Sequence, residues 1–136
     1  SDANPAGNVF GGAILKHIDM VAGIVAQRYS QTNAVTVSMD KISFLKPVFV
    51  GNVLFVNARV NYVQKSSMEI EVNVEAEDIA KGTRVHTGNA YVTFVALDDN
   101  GKPTTVPTLR IDNPDDQKRF DEGKLRMERR IKERKK

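Results

Sequence analysis

The hydrophobic period of this chain changes from 3.6 residues to 2, and that change predicts its architecture. From Gly12 to about Arg28, Ile14, Leu15, Ile18, Val21, Ala22 and Val25 recur at three- and four-residue steps with no proline among them, the pattern of a helix. Lys16 and Gln27 fall on its polar side, and the face of Leu15, Asp19, Ala22 and Ala26 is apolar except for Asp19. Ser30-Gln31-Thr32-Asn33 breaks the pattern, and strand-like segments follow. Ala34–Lys46 sets Val35, Val37 and Met39 on one face and Ile42 and Phe44 on the other. Pro47 marks a break and Gly51-Asn52 a turn. Val53–Gln64 then alternates Leu54, Val56, Ala58, Val60 and Tyr62 with more polar neighbours.

After Lys65-Ser66-Ser67, the residues Met68, Ile70, Val72, Val74 and Ala76 alternate with Glu69, Glu71, Asn73, Glu75 and Glu77. This is the cleanest half-buried strand in the chain, and its glutamate row reads as a solvated face. Arg84–Leu97 is a fourth strand, with Ala90, Val92, Phe94 and Ala96 opposed to Tyr91, Thr93 and Val95. Pro103 and Pro107 make the next segment extended. Asn113-Pro114-Asp115-Asp116 starts a last helix, with proline at its first position and acids in its first turn. The apolar stripe of that helix, Phe120, Met127 and Ile131, is thin, so only its first turns are expected to pack. Removing residues beyond about Gly123 is accordingly expected to spare function. One helix laid on four long antiparallel strands gives an α+β fold. The exposed edge of such a sheet invites a second copy.

Composition narrows the chemistry. With 136 residues the chain is long enough for one domain with its own core, and 40% hydrophobic and 27% charged residues are ordinary globular values. No apolar run approaches a membrane span, and no signal-peptide pattern is visible. There are no cysteines and only two histidines, His17 and His86, which excludes disulfides and leaves few metal ligands, so no metal or cofactor is expected. The absence of cysteine fits a cytoplasmic protein. Of the net charge of +3, the segment from Asp115 onward holds +4, so the basic character belongs to the tail. Acids interrupt that tail and only Phe120 is available for stacking, which argues against a nucleic-acid partner. The chain opens at Ser1 without methionine, inside what reads as a motif, and further residues are expected before it.

The candidate chemistry lies near the start. Gly11-Gly12 opening a helix lets a ligand approach backbone amides that have no intrahelical partner. A carboxylate two turns on, Asp19, can activate water. Asp19 lies seven residues beyond Gly12, about 10 Å along a helix, too far for both groups of one chain to act readily on one carbonyl. Each feature alone has a plainer reading: a solvated helix acid, a glycine pair for tight packing, and for Asn4 a turn residue.

Taken together, Asp2-Ala3-Asn4, Gly7-Asn8-Val9-Phe10-Gly11-Gly12, Ile18-Asp19 with Val21-Ala22-Gly23, and Phe44-Leu45-Lys46-Pro47 with Val50-Gly51 resemble the hotdog-fold acyl-CoA thioesterases. The subgroup is that of the bacterial acyl-CoA hydrolases and the mammalian brain-type cytosolic acyl-CoA hydrolase, and the resemblance covers roughly residues 2–97. It implies a hotdog domain over residues 1–112 and a charged helix over 113–136. It also implies hydrolysis of acyl-CoA to free CoA and a carboxylic acid, with homodimers assembled commonly as hexamers, trimers of dimers, and otherwise as tetramers. Asn4 and Asp19 hold the positions of the family's catalytic residues. Amides near Gly11 and Gly12 would polarise the thioester oxygen, and antiparallel pairing of two copies would make a composite site. For coenzyme A, Lys65, Ser66 and Ser67 are candidates at its phosphate end, with Arg84 and Lys46 behind them, while Val9 and Phe10 would line a tunnel. Two rival readings use the same fold: a non-catalytic acyl-CoA-binding or sensing protein, and a hydratase or dehydratase. The latter wants a positioned histidine that neither His17 nor His86 supplies.

Overall fold

The computed structural model describes residues 11–134. Its elements run α1 (Gly11–Ser30), β1 (Asn33–Phe44), β2 (Val53–Gln64), β3 (Ser67–Asp78), β4 (Thr83–Leu97) and α2 (Pro114–Arg134). All neighbouring strands are antiparallel, in the order β1-β4-β3-β2, so β1 and β2 are the edges. The α+β architecture expected from the pattern is the observed one, with α1 in contact with all four strands.

The inner face of the sheet is apolar. Ile14, Ile18, Ala22 and Ala26 of α1 sit on Met68, Ile70, Val72 and Val74 of β3 and on Ala90, Val92, Phe94 and Ala96 of β4. Fully burying a side chain such as Ile18 stabilises the fold by about 1.5–3 kcal/mol, and the two alanines keep the helix close to the strands.

The edge strands carry three register shifts, one of them between Asp40 and Ser43, and the other two correct the expected faces. In β1, Thr36 pairs with Phe94 and Ser38 with Thr93, so Val37 is an extra residue. Ala34 and Thr36 therefore share the inner face, Met39 rejoins it after the bulge, and Val35 and Val37 are exposed. The single apolar face Val35–Val37–Met39 does not exist. In β2 the extra residue is Asn61, between Val60 and Tyr62. Tyr62 thereby leaves the face of Leu54, Val56, Ala58 and Val60, and its ring packs edge-on to Phe120 of α2 with centroids 4.8 Å apart.

Helix α2 lies on the outer face. Asn113 Oδ1 accepts the amide of Asp116 at 2.8 Å, capping the helix where the sequence predicts its start. Gly123 is buried, and a Cβ there would stand 2.8 Å from Tyr62 Cβ and 3.0 Å from Glu69 Oε1, which is why the position takes glycine. One turn on, the Arg126 guanidinium donates to both carboxylate oxygens of Glu69, at 2.7 and 2.9 Å, and lies 3.6 Å over the Tyr91 ring. Burial works against the Arg126 charge, but the hydrogen bonds and negative charge of Glu69, with Tyr91 and Glu122, together offset it and raise the pKa above its ordinary value.

Two expectations therefore fail. Glu69, at the head of the glutamate row, is only 4% exposed, and α2 packs well past its first turns through Arg126, Met127 and Arg130. Truncation beyond Gly123 would remove Arg126, the cation paired with Glu69, together with Arg130, contacts that the thin apolar stripe does not announce.

Candidate active site on the flank of the first helix

Helix α1 is continuous from Gly11 to Ser30, so the separation of about 10 Å between Gly12 and Asp19 holds. The helix has no acidic residue in its first turn, which leaves the positive end of its dipole uncompensated by its own side chains. A Cβ on Gly12 would meet nothing within 4 Å among the described residues. Tight helix–sheet packing is thus not what requires glycine at Gly12.

Asp19 is exposed in the single chain, not buried on the Ala22–Ala26 face. It reaches sideways to edge strand β1, where Thr36 Oγ1 donates to Asp19 Oδ1 at 2.8 Å. A hydroxyl bonded to one carboxylate oxygen restricts the orientation of the group, and among the described residues the second oxygen has no hydrogen-bond donor, so it can face a water or a carbonyl carbon. The sequence alone does not single out Thr36. Its signal is a polar, β-branched residue two positions after Ala34, on a face that is otherwise core.

Met20 and Ile24 of α1 and Val35 and Val37 of β1 are all exposed, with Val35 on the face of the sheet away from α1. A second exposed apolar group, Phe44, Leu45, Phe49 and Val50, lies at the other end of β1 and in the connection to β2.

The candidates for coenzyme A do not converge in one chain. Lys65 and Ser66 form the β2–β3 turn, and their carbonyls accept the amides of Val106 and Ala96 at 2.8 and 2.9 Å. Ser67 begins β3 beside Val95. Arg84 pairs with Glu77 at the far end of that strand, about 33 Å away at some 3.3 Å per residue. Its Nε also donates to Glu75 at 2.6 Å, and its guanidinium lies 3.7 Å over the Phe55 ring. Lys46 is exposed at that far end, next to Thr87. The Lys65-Ser66-Ser67 turn and Arg84 therefore cannot hold the same phosphate within one chain. Asn4, Val9 and Phe10 lie outside the described residues. His17 and His86 are both exposed and neither joins Asp19.

Residues 6–83 match the model of the thioesterase superfamily. The chain is 41% identical over 128 residues to the rat cytosolic acyl coenzyme A thioester hydrolase, covering 93% of this chain and 34% of that protein. It thus spans about a third of the length of that relative. Among solved structures it is similar to an acyl-CoA hydrolase from Staphylococcus aureus in complex with butyryl coenzyme A, coenzyme A and coenzyme A disulfide. The TM-score is 0.89 at 36% identity, over 98% of this chain and 81% of that one. That hydrolase has also been solved as three separate variants, with alanine in place of an asparagine, of an aspartate or of a threonine. A hexameric acyl-CoA thioesterase superposes with a TM-score of 0.91 at 31% identity, over 97% of this chain and 85% of that one. The chain belongs to the thioesterase superfamily and has its hotdog fold.

Proposed function

We propose that this protein is an acyl-CoA thioesterase that hydrolyses acyl-CoA to free CoA and a carboxylic acid, at a site shared between two copies of the chain. The observation that carries the proposal is the Asp19 carboxylate held by Thr36 on the exposed flank of α1. The asparagine, aspartate and threonine replaced in the Staphylococcus aureus hydrolase variants are spaced 15 and 17 residues apart, as are Asn4, Asp19 and Thr36 in this chain. That agreement supports Asn4, which lies outside the described residues, as a member of the site.

In this mechanism the amides at the start of α1, near Gly11 and Gly12, polarise the thioester oxygen, and the helix dipole favours the negative charge that develops there. The Asn4 amide orients the carbonyl or the water. The Asp19 oxygen not held by Thr36 takes a proton from water as it adds to the carbonyl carbon, or adds to that carbon itself to give an anhydride that water then opens. Collapse of the adduct breaks the carbon–sulfur bond and releases CoA. No cofactor is required, since coenzyme A arrives as part of the substrate.

A second copy is proposed to cover exposed apolar residues of α1 and of edge strand β1, Met20, Ile24 and Val37 among them, and to bring its own Asn4 and glycines to the Asp19 carboxylate. The length of α1 and the open edge of β1 support this arrangement. The hexameric relative supports three such dimers per assembly, and the cytosolic relative supports a cytoplasmic setting. Among the described residues no helix is long and apolar enough to cross a membrane.

The test is release of free thiol from acyl-CoAs of short to long chain by the wild-type protein. Release is the expected result. Binding of acyl-CoA by folded protein with no release from any of them would replace the thioesterase with a non-catalytic acyl-CoA-binding protein. For the shared site, Asn4→Ala and Asp19→Asn proteins, each inactive, should regain up to about half of the sites when mixed as verified heterodimers. No recovery would refute the sharing.

A further inference from the structure

The bond that orients Asp19 depends on a bulge, and the bulge is clamped from the other side of the sheet. Side chains alternate along a strand, so Thr36 and Ser38 of a regular β1 would point to the same face. The extra residue Val37 reverses this: Thr36 opposes the core residue Phe94 and meets Asp19, while Ser38 opposes Thr93 on the outer face. Slipping the register by one residue would turn Thr36 away from Asp19. As an edge strand, β1 has only β4 to hold its register in this chain.

Arg130 of α2 sits on this point. Its Nη1 donates to Ser38 Oγ at 2.8 Å and to Thr93 Oγ1 at 2.5 Å, joining the two strands at the first pair beyond the bulge. It also lies 3.4 Å from Asp40 Oδ2, which accepts the Ser38 hydroxyl at 3.0 Å. The Arg130 side chain is 17% exposed, so these are contacts of a largely desolvated cation.

We propose that Arg130 is a positioning residue for hydrolysis. It holds the β1–β4 register at the Val37 bulge and so keeps Thr36 aimed at Asp19 from the opposite face of the sheet. This proposal rests on the reading of Asp19 as the catalytic carboxylate. Arg130 bonds to Ser38, Asp40 and Thr93 rather than to Asp19, and it acts through β1.

The experiment is a double-mutant cycle on hydrolysis of butyryl-CoA. Arg130→Met keeps an unbranched stem and removes every donor, and it should lower kcat about tenfold with KM within about twofold. In a Thr36→Val background, where the bond to Asp19 is already gone, the same change should lower kcat by less than about twofold. Equal losses in both backgrounds would overturn the proposal. If Arg130→Met does not fold, Ser38→Ala removes the β1 end of the clamp and must show the same dependence on Thr36. Amide hydrogen exchange supplies a readout independent of activity. Faster exchange over residues 36–40 in the variant, with α1 unchanged, is the expected result, and unchanged exchange there overturns the clamp. Wild-type protein inactive on every acyl-CoA would instead sink the thioesterase reading, leaving exchange to decide the clamp.

Discussion

Helix α1 meets the sheet with Ile14, Ile18, Ala22 and Ala26, all at most 4% exposed, whereas α2 meets the opposite face with Gly123, Arg126, Met127 and Arg130. The first contact is apolar and non-directional: it rewards burial and tolerates small shifts. The second is built from charge-assisted hydrogen bonds, which demand particular partners at particular distances. A directional contact is suited to fixing strand register, and a smooth one to carrying a helix whose outer flank stays available. In this molecule the flank bearing Asp19 belongs to the smoothly packed helix, and the register of the strand bearing Thr36 is fixed from the other side.

The sharpest break in this comparison is Arg126→Met. It strands Glu69, whose side chain is 5% exposed, without its cation, and should cost about 3–5 kcal/mol in urea unfolding. A loss under about 1 kcal/mol would mean that the pair is solvated after all. The glycines of the two helices then separate bulk from chemistry. Gly123→Ala places a methyl 2.8 Å from Tyr62 Cβ and should destabilise by about 1–3 kcal/mol. Gly12→Ala has open space around it and should leave stability unchanged or raise it by less than about 1 kcal/mol. It should nevertheless lower thiol release, because the methyl would stand where the thioester approaches the helix start. Unaltered hydrolysis by the Gly12 variant would remove that end of α1 from the site.

The sequence was most informative where one face of an element is apolar. The α1 pattern, the full extent of β2 and the alternation of β3 all follow from burial against a hydrocarbon core. It was least informative where a polar face meets another polar face. Glu69 reads as solvated, since a strand face looks the same whether water or an arginine-bearing helix covers it. The thin stripe of α2 misleads for the same reason, because Arg126 and Arg130 carry the packing that apolar residues would otherwise announce. The bulges at Val37 and Asn61 leave no mark on the pattern that separates them from ordinary alternation, so the sequence groups Val35 and Val37 with Met39, and Tyr62 with Val60, where the structure divides them. At the site, Asp19 was legible through its setting. Thr36 was not, because the partnership spans 17 residues and exists only once α1 lies beside β1.

The most direct test of the central claim is thiol release by Asp19→Asn beside the wild type, at matched thermal stability and assembly. The substitution keeps the shape of the side chain and removes its basicity and negative charge. Turnover should fall at least about a hundredfold, the loss usual for a general base or nucleophile. Turnover near the wild-type level in the folded variant would contradict the account and move the chemistry away from Asp19.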